Sequence, residues 1–210
     1  MTSNFDVIPD DVSSYRIREY WNQRYSKEPS NTTFDWFKTY KDLKPSFDEH
    51  LQNKDVSILM LGCGNSTLSE DMYDAGYHNI TNVDFSAIVI ENMQTRCIDK
   101  VGMSWLVMDI RDLKFPEETF DVIIDKGTMD ALMSDEGNVW DPKPETVENV
   151  KRAVDQVVRV LKIGGKFIYI TFGQPHFRRK YLERPCWDID FKKLGDSFHY
   201  FFYFMTKKVA

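Results

Sequence analysis

The chain has 210 residues, 42 % of them hydrophobic and 14 % aromatic, which suits one packed α/β domain and excludes a disordered chain. Its 33 acidic residues against 27 basic ones give a formal net charge of −6, which excludes a broad nucleic-acid-binding surface. Cys63, Cys97 and Cys186 stand apart with no CxxC pair, and the four histidines form no ligand spacing with them, so reduced thiols and no metal are expected.

In chain order, residues 1–12 are polar and acidic without the apolar core of a signal peptide. No apolar run approaches the roughly 20 residues of a membrane helix, so a cytoplasmic protein without a membrane partner is expected. No linker, repeat or low-complexity block divides the sequence. Residues 1–210 read as a single domain, with 1–52 as an N-terminal cap and 53–210 as a cofactor-binding core. Residues 14–25 have amphipathic helical spacing, 31–37 read as a loop, and 40–51 as a helix broken by Pro45.

Residues 57–61 then form an apolar run ending in Gly62-Cys63-Gly64, followed by a helix capped by Ser66 that runs through Ala75 and stops at Gly76. A second strand ends at Asp84, and Ser86 is placed to cap a helix over 87–100. Residues 105–108 predict a strand ending at Asp109, and 120–124 one ending at Asp125. Val147, Val150, Val154, Val157, Val158 and Leu161 recur at helical spacing over 146–161. Gly164-Gly165 predict a turn into a strand at 166–171, and 188–194 and 199–205 predict a closing hairpin. Strands alternating with helices imply a parallel sheet in a three-layer sandwich, with an antiparallel strand added last.

The glycine turn is the first step of an open α/β sheet, where the missing side chains let a ligand approach the backbone. Asp84 stands 22 residues after Gly62, where such folds hold ribose hydroxyls. A dinucleotide fold wants a third glycine where this chain has Thr67, and the phosphate loop of nucleotide triphosphatases is absent. A nucleoside ligand without a phosphate cradle is left, such as adenosylmethionine. Gly62, Asp84, Asp109 and Asp125 mark four strand tips, the edge at which open sheets bind ligands. Asp109 with Ile110 can bracket an adenine, and Phe85 offers its ring a second flat surface.

The runs Leu61-Gly62-Cys63-Gly64-Asn65-Ser66, Val83-Asp84-Phe85-Ser86 and Met108-Asp109-Ile110-Arg111, with Asp125-Lys126-Gly127-Thr128-Met129-Asp130-Ala131-Leu132, resemble class I, seven-stranded S-adenosylmethionine-dependent methyltransferases. The last run, with Glu19-Tyr20-Trp21-Asn22-Gln23-Arg24-Tyr25, Phe34-Asp35-Trp36 and Pro175-His176-Phe177-Arg178, is similar to a narrower branch. That branch holds elongation factor 1-alpha lysine methyltransferases and the amino half of methyltransferase-like protein 13. The resemblance implies a Rossmann-like seven-stranded sheet, a lysine acceptor on elongation factor 1-alpha, and S-adenosylhomocysteine as product. It implies that Trp21, Tyr25 and Trp36 close over the cofactor, that Gly62 lies under its methionine part, with Gly64 also in the cofactor site, and that Lys126 borders it. Phe85 departs from the hydroxyl-bearing aromatic common in relatives, and Asp125 from their Glu.

Methyl transfer from a sulfonium chiefly requires an acceptor lone pair in line with the S–CH3 bond. Asp125 and Asp130 are candidates to orient a lysine amine, against ordinary structural roles at a strand end and a helix start. Trp36, Phe172, His176, Phe177 and Trp187 are candidates for an apolar channel around the lysine stem. Competing expectations are a small-molecule methyltransferase and a non-catalytic cofactor-binding partner protein, the latter disfavoured by intact glycines and acids. A nicotinamide dehydrogenase is disfavoured by Thr67.

Overall fold

The structure, a computed structural model, describes residues 9–195 and 198–209; most of the leading segment read above for a signal core lies outside them. A 3-10 turn at Val12–Arg16 precedes α1 (Arg18–Lys27) and α2 (Tyr40–His50). Next come β1 (Ile58–Leu61), α3 (Leu68–Asp74), β2 (Ile80–Asp84), α4 (Ala87–Arg96), β3 (Met103–Val107) and β4 (Phe120–Lys126). After β4 lie α5 (Thr128–Leu132), a 3-10 turn at Met133–Asp135, and a small hairpin of β5 (Gly137–Asn138) and β6 (Asp141–Pro142). The chain closes with α6 (Pro144–Val160), β7 (Leu161–Thr171), α7 (Pro175–Leu182), β8 (Asp190–Leu194) and β9 (Tyr200–Thr206).

Seven strands form one sheet in the order β3-β2-β1-β4-β7-β9-β8. Pairings are parallel from β3 through β7, and β9 runs antiparallel to both β7 and β8. β9 is therefore the inverted strand, as expected from the closing hairpin. The strand order reverses beside β1: β2 and β3 lie to one side, β4 and β7 to the other. That switch point opens a crevice at the carboxyl ends of β1 and β4, where open sheets bind ligands.

The sheet is buried on both faces, which explains the near-continuous apolar strands. Leu59, Ile123 and Phe167 point to one face and meet Val150, Val154 and Val157 of α6. Ile58, Ile124 and Ile168 point to the other, against Leu43 and Phe47 of α2, Met72 of α3 and Val89 of α4. On α6 the inward stripe is Val150, Ala153, Val154, Val157 and Val160; Val147 is surface-exposed, and Leu161 has already entered β7.

Several local expectations are corrected. The stretch 14–25 is a 3-10 turn and a helix that begins only after extended Ile17. Pro45 does not break α2: it lies on the solvent side, as does Lys41, whose carbonyl loses the Pro45 amide as partner, while Leu43 and Phe47 hold the inner face. Asp42 stabilises the start of α2 by accepting from the Thr39 amide at 3.0 Å and its hydroxyl at 2.9 Å. Ser86 precedes α4, but its hydroxyl donates to Asn22 Oδ1 at 2.7 Å and caps nothing; α4 stops at Arg96 rather than 100. The pair Gly164-Gly165 is a bulge within β7, where pairing to β4 shifts register.

Candidate active site

A cavity of about 470 Å³ opens at the switch point, lined by the carboxyl ends of β1, β2 and β4, by Phe172 just after β7, by the 3-10 turn and α1, and by Met133, Ser134, Glu136 and Gly137. The ten residues expected to hold a cofactor all line it. Gly62 and Gly64 form its floor with backbone φ of +55° and +52°. A Cβ on Gly62 would stand 2.2 Å from the Thr128 hydroxyl, which itself donates to the Leu61 carbonyl at 2.9 Å and pins α5 to β1. Only glycine fits there.

Asp84 is 6 % exposed and accepts the Gly64 amide at 3.0 Å and the Ser86 amide at 2.9 Å, one on each oxygen. Each oxygen keeps a lone pair for a hydroxyl donor. Burial pushes its carboxyl up to about 6, against the pull of those amides. Asp109 is different: the Arg111 guanidinium grips both its oxygens, at 2.7 to 3.2 Å, and the Arg111 amide adds a bond at 2.9 Å. Burial would raise Asp109, but Arg111 outweighs it and holds the carboxyl low. Ile110 beside it is buried and supplies an apolar wall.

The roof comes from the amino-terminal elements. Trp21 and Tyr25 stack at 5.7 Å, and Trp21 meets Trp36 edge-on at 6.4 Å. Arg24 lies over Trp21, Phe34 and Trp36 at 5.2 to 5.9 Å. Asp35 fastens this roof. It accepts from Lys126 Nζ at 3.0 Å, from the Ser66 hydroxyl, and from the Thr67 hydroxyl at 3.0 Å and amide at 3.3 Å. Burial raises the Asp35 carboxyl, yet Lys126 and these hydrogen bonds bring it below the ordinary value. Lys126 also donates to the Trp36 carbonyl at 3.0 Å. Donors ahead of α3 that would cradle a phosphate are thus already spent on a carboxylate of the chain itself, which argues against a dinucleotide.

The two candidate orienting acids separate. Asp125 is fully buried, does not line the cavity, and accepts the Thr128 amide at 3.1 Å and the Met129 amide at 3.2 and 3.3 Å. It holds the first turn of α5. Burial, reinforced by Asp130, drives its carboxyl well above the usual range. Asp130 does line the cavity, but accepts from Thr171 at 2.6 Å, Tyr169 at 3.0 Å and Arg178 at 3.1 Å.

Of the five expected channel residues, Trp36 and Phe172 line the cavity, Phe172 at 47 % exposure on its rim. His176 and Phe177 face outward on α7, packed with exposed Trp140 at 6.1 and 5.0 Å. Trp187 is buried against Phe167 at 5.9 Å and donates to the Leu182 carbonyl. For His176 and Phe177 the correction is one of helical phase: Pro175 starts α7, which turns Arg178, Tyr181 and Leu182 inward. Arg178 was missed as a cavity residue, although Gly173 signals it. A Cβ at Gly173 would stand 2.2 Å from Arg178 Nε.

A family model described as a methyltransferase domain matches residues 59–169, which span the glycine turn, the strand tips and most of β7. The chain belongs to the methyltransferase family. It is similar to EEF1A lysine methyltransferase 4 of Mus musculus, 37 % identical over 95 % of this chain and 79 % of the relative. It is also similar to the eEF1A lysine and N-terminal methyltransferase of Mus musculus, 34 % identical over 91 % of this chain but 27 % of that longer protein. Among solved structures, a SAM-dependent methyltransferase of Methanosarcina mazei aligns with a TM-score of 0.60 at 20 % identity, covering 79 % of this chain and 98 % of the other; that likeness speaks to the fold. The methyltransferase sheet and the cavity at its switch point are thus the frame on which function is argued.

Proposed function

We propose that this chain transfers methyl groups from S-adenosylmethionine to a lysine side chain of elongation factor 1-alpha in the cytoplasm, leaving S-adenosylhomocysteine. The observation that carries the reading is the convergence of Gly62, Gly64, Asp84, Ile110 and the aromatic roof on one cavity at the switch point. Its walls fit the donor. Bare glycine backbone allows close approach, Asp84 keeps lone pairs for a diol, and the apolar rings suit an adenine and a sulfonium. The acceptor is inferred from what the relatives are named for, across nearly the full length of this chain.

The bound donor supplies an activated methyl group. The protein supplies position: Asp84 and Ile110 fix one end, Thr128 holds α5 against the glycine turn, and the roof held by Asp35 and Lys126 excludes water. A lysine must lose its proton to attack. Asp125 does not line the cavity and Asp130 is already held by Thr171, Tyr169 and Arg178, so neither is assigned as a base; apolar surroundings themselves favour the neutral amine. The test is incubation of the purified chain and labelled S-adenosylmethionine with recombinant elongation factor 1-alpha, followed by peptide mapping. Label on a lysine is expected. Label confined to small molecules would refute the acceptor, and the absence of S-adenosylmethionine binding would refute the donor.

A further inference from the structure

Charge bookkeeping along the cavity wall leaves one acid unexplained. Among the described residues four cations line the cavity, and each is paired: Arg16 with Asp135 at 3.1 Å, Arg111 with Asp109 at 2.7 Å, Lys126 with Asp35 at 3.0 Å, and Arg178 with Asp130 at 3.1 Å. Two lining acids, Asp84 and Glu136, have no ion-pair partner among the described residues. Asp84 lies at the tip of β2, on one side of β1. Glu136 lies on the other side, after α5, where it meets α7: the Tyr181 hydroxyl reaches its Oε2 at 3.5 Å, at the outer limit of a hydrogen bond. It is partly exposed and lies near Arg178, whose guanidinium sits over the rim ring Phe172 at 5.9 Å.

Resting on the proposed function, we infer that Glu136 captures the primary amine of the incoming lysine and orients it at the acceptor end of the cavity. The placement follows the sheet. If the nucleoside end is held at β2 and β3, the acceptor enters from beyond β4, which is the Glu136 side. Asp130, Glu136 and Arg178 together leave one surplus negative charge there, and a lysine ammonium carries the complementary one. Phe37 and Phe172 line the cavity edge-on to each other at 5.6 Å, with Arg178 over the Phe172 ring at 5.9 Å, an apolar slot of the kind a four-methylene stem needs. Glu136 therefore acts in capture, while the apolar slot beyond it favours the neutral amine that attacks.

The experiment compares wild type, Glu136→Gln and Tyr181→Phe in methylation kinetics on elongation factor 1-alpha, with calorimetry of S-adenosylhomocysteine binding to each. Loss of a hydrogen bond to a charged group is expected to raise KM for the protein acceptor roughly 10- to 100-fold in Glu136→Gln, with a much smaller change in kcat. Cofactor affinity should stay within about twofold of wild type, and Tyr181→Phe should behave as wild type. An acceptor KM in Glu136→Gln within about threefold of wild type overturns the inference alone. So does an equal loss in Tyr181→Phe, which would mark a structural contact, or a parallel fall in cofactor affinity, which would assign the acid to the donor. A wild-type chain that labels no lysine overturns the proposed function, and this inference with it.

Discussion

At the scale of single residues, the cavity acids are sorted by what already occupies them. Asp84 is buried, bonded to two amides, and keeps capacity. Hydroxyl donors favour its ionised form, so binding must release a proton wherever the free protein holds Asp84 protonated. With a free-state pKa of about 6, cofactor affinity should be flat above that pH and fall below it, by at most about tenfold per unit. Asp84→Asn should flatten the profile, and Asp84→Ala should weaken binding at pH 7.5 by about 1.5–3 kcal/mol. Calorimetry across pH 5 to 8 measures both, and a wild-type profile with no inflection would detach Asp84 from the ligand. Asp125 behaves differently because its oxygens are used up inside the fold. Asp125→Asn replaces one acceptor oxygen at the start of α5 with a donor that cannot accept the α5 amides, and should cost about 1 kcal/mol of stability. Turnover per folded molecule should stay within about threefold of wild type; a loss of hundredfold or more, the range of a general base, would return Asp125 to the chemistry.

At the scale of elements, the roof is fastened by the buried Asp35–Lys126 ion pair, beside a second buried pair, Arg24–Glu28 at 2.8 Å. Asp35 and Lys126 are 13 % and 5 % exposed, so removing one partner leaves the other charged and buried, which costs about 3–5 kcal/mol. Asp35→Ala should therefore lower the melting temperature and weaken cofactor binding together. Asp35→Ala with Lys126→Met should recover much of the stability, because the stranded charge is gone. Thermal melts of the two variants decide this: equal destabilisation would show that Asp35 acts mainly through Ser66 and Thr67. How far the sequence revealed these elements depends on how local their causes are. The glycine turn and the acids at strand tips are set by neighbours in the chain, and Gly62, Gly64, Asp84, Phe85, Asp109 and Ile110 were legible from them, whereas Trp21, Tyr25, Trp36 and Lys126 came from the family resemblance. Asp35 was visible only as part of an aromatic motif, since its partners Ser66 and Lys126 lie 31 and 91 positions away. The phase of α7 was equally hidden, because Pro175 and the fit of Arg178 over Gly173 decide which face turns inward.

At the scale of the whole molecule, the amino-terminal region divides between two jobs that its composition does not separate. Aromatic content marked residues 1–52 as one cap. In the fold, Tyr15, Trp21, Tyr25 and Trp36 roof the cavity, whereas α2 belongs to the core: Leu43 and Phe47 are fully buried, and Phe47 meets Phe202 of β9 at 5.8 Å. Two truncations separate the jobs. A chain starting at Thr39 keeps α2 and loses the roof; it should retain a cooperative melt, at reduced temperature, and lose S-adenosylmethionine binding. A chain starting at Asn53 also uncovers the β9 face. Losing two buried large side chains alone costs on the order of 5–10 kcal/mol, comparable to the whole stability of a typical domain, so this chain should be unfolded or aggregated. If the shorter chain instead melts cooperatively like the longer one, α2 is a dispensable part of the cap; if the longer one binds the cofactor as tightly as the intact protein, the aromatic roof has no part in holding it.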